Sequence, residues 1–258
     1  MTLIHKFVSL AVLTLAANSA GAVTVTATSD AALLANSIAG AGVNISNVTL
    51  GAASADATGI FSNGGNIGFD KGVLLTTGSV DCAVGPNMTT SCGAGGTTTS
   101  LKFDFTSSNG NVFFRYVFAS EEYNEFVGQG FNDVFELRLN GVNIALLPDD
   151  AGVVSIDNVN NGSNAGFFRN NTFGTFNTGY DGLTTVLTAQ ASGLLGSNSF
   201  EFFIHDQGDM NYDSGVFIEA GTFADVPPPP TDVPEPGSLA LLGLGLAGIA
   251  RAARRKMR

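Results

Sequence analysis

The chain has 258 residues, and 98 of them are Gly, Asn, Ser or Thr, while Asp, Glu, Lys and Arg make up only 13 %. That mixture starves long amphipathic helices and excludes a helical bundle, and 44 % apolar residues with 20 Phe exclude global disorder. The net charge of −11 is uneven: residues 23–233 hold five Lys and Arg against 21 acids, a body that repels nucleic acid and attracts cations.

In chain order, residues 1–22 read as a secretory signal. Lys6 opens it, residues 7–17 form an apolar run too short to span a membrane, and Ala20 and Ala22 flank Gly21 as a cleavage pattern before Val23. Export machinery and signal peptidase are the partners this implies. Residues 23–224 follow as one body. Period-two alternation marks strands at 23–26, 101–105, 112–118, 131–139, 200–204 and 215–219. Asn140 and Gly141 predict a hairpin between residues 131–139 and 142–147. Residues 72–77 lack alternation and suit a strand buried on both faces. The one short helix is expected over residues 30–38, capped by Asp30 or Ser29. The expected fold is an all-β, antiparallel β-sandwich of jelly-roll-like kind, flanked by the signal helix and a C-terminal apolar anchor helix.

Cys82 and Cys92 are the only cysteines. In an exported chain such a pair is most simply a disulfide closing its Gly/Thr-rich loop, and zinc would want two further ligands that are not nearby.

Three segments concentrate oxygen ligands: Glu121, Glu122 and Glu125; Asn132 and Asp133; and Asp206, Asp209, Asn211 and Asp213. By strand parity Asp133 shares a face with Phe135, Leu137 and Leu139, and Asp206 shares one with Phe200, Phe202 and Ile204. Glu122 continues the face of Phe114, Tyr116 and Phe118 if that strand stays extended. Carboxylates on apolar faces are costly unless paired or bound to a cation, and five basic residues are too few to pair them. Ca²⁺ suits such a set in an exported chain, with Glu122, Asp133, Asp206, Asp209 and Asp213 as candidate ligands. The segment is not an EF-hand, because Gly215 comes one position late and Ala220 stands where a bidentate Glu belongs. Two other readings stay open: acids that cap turns or face solvent, and a catalytic pair of Glu121 or Glu122 opposite Asp213. His205 is the only histidine of the body, and no nucleophile elbow or zinc-protease motif occurs. Tyr123, Tyr180 and Tyr212 fit either a shallow sugar site or core anchors.

Residues 225–233 form a Pro-rich spacer, in which Pro227 to Pro230 favour polyproline II. Val233, Pro234, Glu235 and Pro236 then precede an apolar helix over about residues 237–250 and a basic tail from Arg251 to Arg258. Motif, helix and tail over residues 234–258 resemble the PEP-CTERM sorting signal of Gram-negative bacteria, a tail also found on some ice-binding proteins; no flat Thr repeat accompanies it here. The resemblance implies transient inner-membrane anchoring through the helix, recognition by an exosortase, cleavage near Pro234 to Pro236, and delivery to the cell surface or exopolysaccharide matrix. Residues 72–78 (GVLLTTG), 116–126 (YVFASEEYNEF), 131–135 (FNDVF), 206–209 and 212–217 resemble the choice-of-anchor L domain. That resemblance implies an extracellular β-rich module and brings no activity with it. The expected function is a non-catalytic surface or matrix protein serving adhesion or the exopolysaccharide and biofilm layer. The alternatives are a Ca²⁺-dependent glycan-binding module and a glycosidase-like enzyme.

Overall fold

The computed structural model describes residues 22–87, 98–208 and 211–229. The signal and anchor helices expected from the sequence, Ala20, Cys92, Asp209 and the motif Val233 to Pro236 lie outside the described residues. Among the described residues no helix is long and apolar enough to cross a membrane.

Alternation in the sequence becomes strands that pair into two sheets. The strands are β1 (Thr24–Ala27), β2 (Val43–Gly51), β3 (Thr58–Ser62), β4 (Gly72–Thr76), β5 (Thr98–Ser107), β6 (Asn111–Ser120), β7 (Val134–Leu139), β8 (Val142–Asn143), β9 (Phe168–Asn170), β10 (Gly182–Thr184), β11 (Leu187–Ser192), β12 (Asn198–His205) and β13 (Ser214–Glu219). The smaller sheet runs β2-β5-β12-β7-β8. The larger runs β1-β3-β4-β13-β6-β10-β9, with β11 on the remaining length of β6. Every ladder between strands is antiparallel.

The smaller sheet has one wet face. Phe103, Phe105, Phe135, Leu137, Phe200 and Phe202 point inward and are buried, while Glu136, Arg138 and Glu201 between them form ion pairs at the surface. The larger sheet is covered on both faces over β4, β13 and the adjoining part of β6, while Thr188 and Gln190 of β11 are exposed. Phe114, Tyr116, Phe118, Val216 and Ile218 face the smaller sheet, and Phe61, Leu74, Val117 and Phe217 form a second core on the opposite face with Val80, Tyr180 and Leu183. All five residues of β4 are buried, as its lack of alternation predicts. Rings lock the sheets together: Phe114 of β6 lies 5.4 Å from Phe200 and 5.3 Å from Phe202 of β12. Each fully buried Phe is worth about 1.5–3 kcal/mol of transfer free energy.

The helix α1 (Ala31–Ile38) forms where expected, with Asp30 Oδ1 accepting the Leu33 amide at 3.0 Å as N-cap. It buries Leu34, Ala35 and Ile38 in the main core. The β7–β8 hairpin turns on Asn140 and Gly141, at φ 49° and 83°, the left-handed pair its short loop requires. Its strands are shorter than expected: β7 begins at Val134 and β8 ends at Asn143.

Both ends of the described body are fastened. Ala22 is exposed, whereas Val23 is fully buried and donates its amide to Asn177 O at 3.2 Å. At the other end Ala224 exchanges backbone hydrogen bonds with Phe113 at 2.8 and 3.0 Å. Arg115 then pairs through Nε with Glu219 and donates Nη1 to Pro229 O at 2.9 Å, holding the start of the spacer on the larger sheet.

Candidate functional site

Strand register brings the acidic segments to one end of the sandwich. Ser120, the last residue of β6, pairs with Ser214, the first of β13, and Gly215 pairs with Thr76 at the end of β4. In the other sheet His205, which ends β12, pairs with Val134, which begins β7. Glu121, Glu122 and Asp213 therefore leave the larger sheet at the edge where Asp133 and Asp206 leave the smaller one. Ser214 Oγ bridges the two sheets by donating to Asp133 Oδ2 at 2.6 Å.

Five of the described acids are buried, with exposures of 2 % for Glu121, 1 % for Glu122, 3 % for Asp206 and zero for Asp133 and Asp213, whereas Glu125 is exposed. The reading in which these acids face solvent holds for Glu125 and not for the other five. Asp133 is an acceptor inside the fold: besides Ser214, it takes the Gln207 amide on Oδ1 at 2.9 Å. Glu122 reaches the site by a different route from the one its parity suggests. The chain leaves β geometry after Ser120, whose Oγ accepts the Glu122 amide at 2.9 Å, while the Glu121 amide donates to Asp213 O at 3.1 Å.

Asp213 is a strongly perturbed carboxyl at this end. Burial lifts its pKa to about 7, and the charges of Asp133 and Asp56 act in the same direction. Hydrogen bonds from the Ser79 amide and the Thr77 hydroxyl oppose the shift without cancelling it. Its Oδ2 lies 3.1 Å from Sγ of Cys82, a buried residue in the 3-10 turn Val80–Ala83. Gly78 makes the space: a Cβ there would stand 2.0 Å from Asp213 Oδ2. Tyr180 is fully buried beside these acids, and its hydroxyl has no hydrogen-bond partner among the described residues. Burial, then the charges of Asp213 and Glu121, push that phenol well above its ordinary range. Gly215 leaves room for it, since a Cβ at that position would lie 2.4 Å from Tyr180 Oη.

Tyr123 and Tyr180 are core anchors with no exposed surface; Tyr212 is half-buried. His205 accepts or donates a 2.9 Å hydrogen bond at Nδ1 with Thr98 Oγ1, on the face opposite Asp206. Among the described residues no group of three or more His, Cys, Asp or Glu is close enough to hold a metal ion.

Beside the strand-end acids opens a cavity of about 140 Å³, lined by Glu121, Glu125, Phe126, Thr172, Asp181 and Tyr212. The Tyr212 ring packs on Phe126 at 4.9 Å, and Phe131 meets Phe126 edge to face at 5.4 Å. Thr172 Oγ1 is fixed by Asn124 Nδ2 at 3.1 Å and by Asn170 Oδ1 at 2.8 Å. Asp181 takes Asn87 Nδ2 at 2.7 Å, and burial followed by the Glu125 charge raises its pKa to about 6 against that hydrogen bond. Reasoning on strand parity misses Phe126, Thr172 and Asp181, which come from loops. Glu125 and Tyr212 carry a sequence signal, one as an oxygen ligand and one as a ring that fits either a shallow sugar site or a core anchor.

The chain belongs to the choice-of-anchor L domain family, whose model matches residues 22–224. The PEP-CTERM protein-sorting motif matches residues 232–256. No curated protein and no solved structure matches the chain. Domain and motif together make this an exported, exosortase-sorted protein of the cell surface.

Proposed function

We propose that this choice-of-anchor L protein is a non-catalytic module that serves adhesion or the exopolysaccharide layer at the cell surface or in the extracellular matrix. In this reading signal peptidase cuts before Val23 and the helix over about residues 237–250 anchors the chain transiently in the inner membrane. Exosortase then acts near Pro234, Glu235 and Pro236, and Cys82 pairs with Cys92. The exposed Ala22 next to the buried Val23 supports the first cut, because the fold begins where the address ends.

One observation favours binding over hydrolysis. Two carboxyl groups must both reach a scissile glycosidic bond, roughly 5–9.5 Å apart. Asp213, which either Glu121 or Glu122 needs as its partner, has no exposed surface. The test is a strain in which Pro234 and Pro236 are both replaced by Ala. Loss of surface display together with loss of cell adhesion or matrix retention supports the reading. Unchanged processing and location overturns it, as does polysaccharide turnover by the purified protein that Glu122→Gln abolishes.

A Ca²⁺-dependent glycan-binding module is the second reading. It is favoured by the burial of Glu122, Asp133, Asp206 and Asp213 at one end of the sandwich. Because no three of the described acids are close enough to share an ion, a divalent cation held by Glu122, Asp133, Asp206, Asp209 and Asp213 would have to draw them together, and would then offset their burial. Glycan-array binding that disappears with chelator supports this reading; chelator-independent binding removes the ion from it.

A further inference from the structure

We propose that the cavity between Phe126, Tyr212 and Asp181 is a subsite for one amino-sugar residue, taken up through its ring face and its ammonium group. The inference rests on the reading of the domain as a binder of exopolysaccharide and names the sugar chemistry it takes.

Four features of the wall select this ligand. The first is size: about 140 Å³ is well below the several hundred Å³ of a site for a drug-sized molecule, and suits a single sugar ring. The second is the pair of rings. Phe126 and Tyr212 are half-buried rather than fully packed away, so they offer faces to a ligand. The C–H face of a pyranose stacks on such rings, and a nearby ammonium gains from their negative faces. Tyr212 holds its place at φ 60°, a left-handed backbone that a bulky residue seldom adopts.

The third feature is charge. Glu121, Glu125 and Asp181 line the cavity, and among the described residues no Lys, Arg or His does. Neither Glu125 nor Asp181 has an ion-pair partner among the described residues. An acidic sugar or a phosphate is repelled here, and a cation is drawn in. The fourth feature is spacing. The three carboxylates border one cavity, yet no three described acidic, His or Cys side chains are close enough to share a metal ion. A bare ion leaves the rings unused and the carboxylates too far apart. A cation carried on a ring-sized skeleton reaches both. Thr172 and the amides of Asn124 and Asn170 supply the fixed hydroxyl and amide groups that sugar hydroxyls need at the rim.

The test uses the secreted full-length protein and two oligosaccharides of equal length, one of β-linked glucosamine and one of its N-acetylated form, in calorimetric titrations. The glucosamine oligomer is expected to bind at least tenfold tighter than the acetylated one. Phe126→Ala and Asp181→Asn should each weaken it by a further tenfold or more, and Tyr212→Ala should repeat the Phe126 effect if one variant misfolds. Equal affinity for the two oligomers overturns the subsite. So does discrimination that survives both Phe126→Ala and Asp181→Asn in proteins with unchanged melting temperatures. Those outcomes leave the broader reading intact if the cell's own exopolysaccharide still binds; absence of binding to that polysaccharide and to both oligomers ends both.

Discussion

The middle of the sandwich and its carboxylate-bearing end are both closed to water, and they obey opposite energetics. Between the sheets Phe103, Phe114, Phe200, Phe202 and Phe223 form a continuous ring cluster with centroids about 5–6 Å apart. There burial is the source of stability, and nothing in it titrates. At the end, Glu121, Glu122, Asp206 and Asp213 are buried to the same degree, and burial is a cost that pH or a cation can relieve. The fold is therefore held by one region and made responsive by the other. Variants that separate the two tell whether this division is real.

The largest effect belongs to the middle. Phe200→Ala empties the contact with Phe114, Phe103, Phe105 and Phe223, and a change of this kind costs about 3–5 kcal/mol. For a domain of this size each kcal/mol moves the midpoint by roughly 2–4 °C. Thermal denaturation should show a drop on the order of 10 °C that is the same at pH 5 and pH 8 and the same with and without Ca²⁺. A loss that varies with pH or calcium would mean that the two regions are not independent.

The next effect belongs to Asp213 and has a defined sign. Its folded pKa is raised from 3.8 to about 7, so between those values the folded chain keeps a proton that the unfolded chain has released. Stability contributed by this group is therefore full below about pH 4 and is lost as pH rises to about 7, by at most about 4 kcal/mol, and is flat above. Chemical denaturation in EGTA should show this decline, and Asp213→Asn should remove it. A wild-type profile parallel to that of the variant across pH 4–7 would deny Asp213 the cost assigned to it.

The middle was the legible part of the sequence. β5, β7 and β12 alternate because one face of the smaller sheet is wet, and β4 shows no alternation because both of its faces are covered. β2 shows no sustained alternation for a readable reason: Val43 and Ile45 alternate, then a bulge at Asn47, φ 53°, shifts the frame to Val48 and Leu50. β9 and β10 have three residues each, too few for a period to show, and β11 is built largely from Ala, Gln, Ser and Thr. The end was legible only by residue type. Parity brought Asp133 and Asp206 to their faces, but burial of Asp213 depends on Gly78, far away in sequence. Asp181 meets Glu125 only through pairing of β10 with β6 and β9, which no local pattern announces.

Calcium should act on the same end with a smaller effect. An ion that binds only the folded state adds RT ln(1 + [L]/Kd), about 2.7 kcal/mol at a hundredfold excess over Kd. The body, stripped of metal beforehand, should melt several degrees higher in millimolar Ca²⁺ than in EGTA, and Asp213→Asn should remove most of the difference. Equal melting temperatures would return these acids to a purely structural role, with Asp133 as their example.

The smallest effect lies at a third place, where pairing offsets part of the desolvation cost of a buried charge. Arg115, 9 % exposed, sits between Glu219 and Pro229 O. Its guanidinium is matched by a carboxylate on one side and a backbone carbonyl on the other. Replacing it by Met keeps much of the aliphatic stem over Phe113 and Val186, which line the same cavity as Pro227 to Pro229, and removes both polar contacts. Hydrogen bonds to charged groups are worth about 1.5–3 kcal/mol each, but Glu219 keeps 19 % side-chain exposure and can turn to water, so the net loss should be about 1–2 kcal/mol. The local consequence should exceed the global one. Ala224 and Asp225 donate their amides to Phe113 O and Ala41 O, immediately before the strapped prolines. In Arg115→Met those two amides should exchange with solvent faster by tenfold or more, while the Val216 amide in the centre of the larger sheet keeps pace with global stability alone. Equal acceleration at all three would show that Arg115 supports the whole sheet, and that the spacer leaves the fold without a strap.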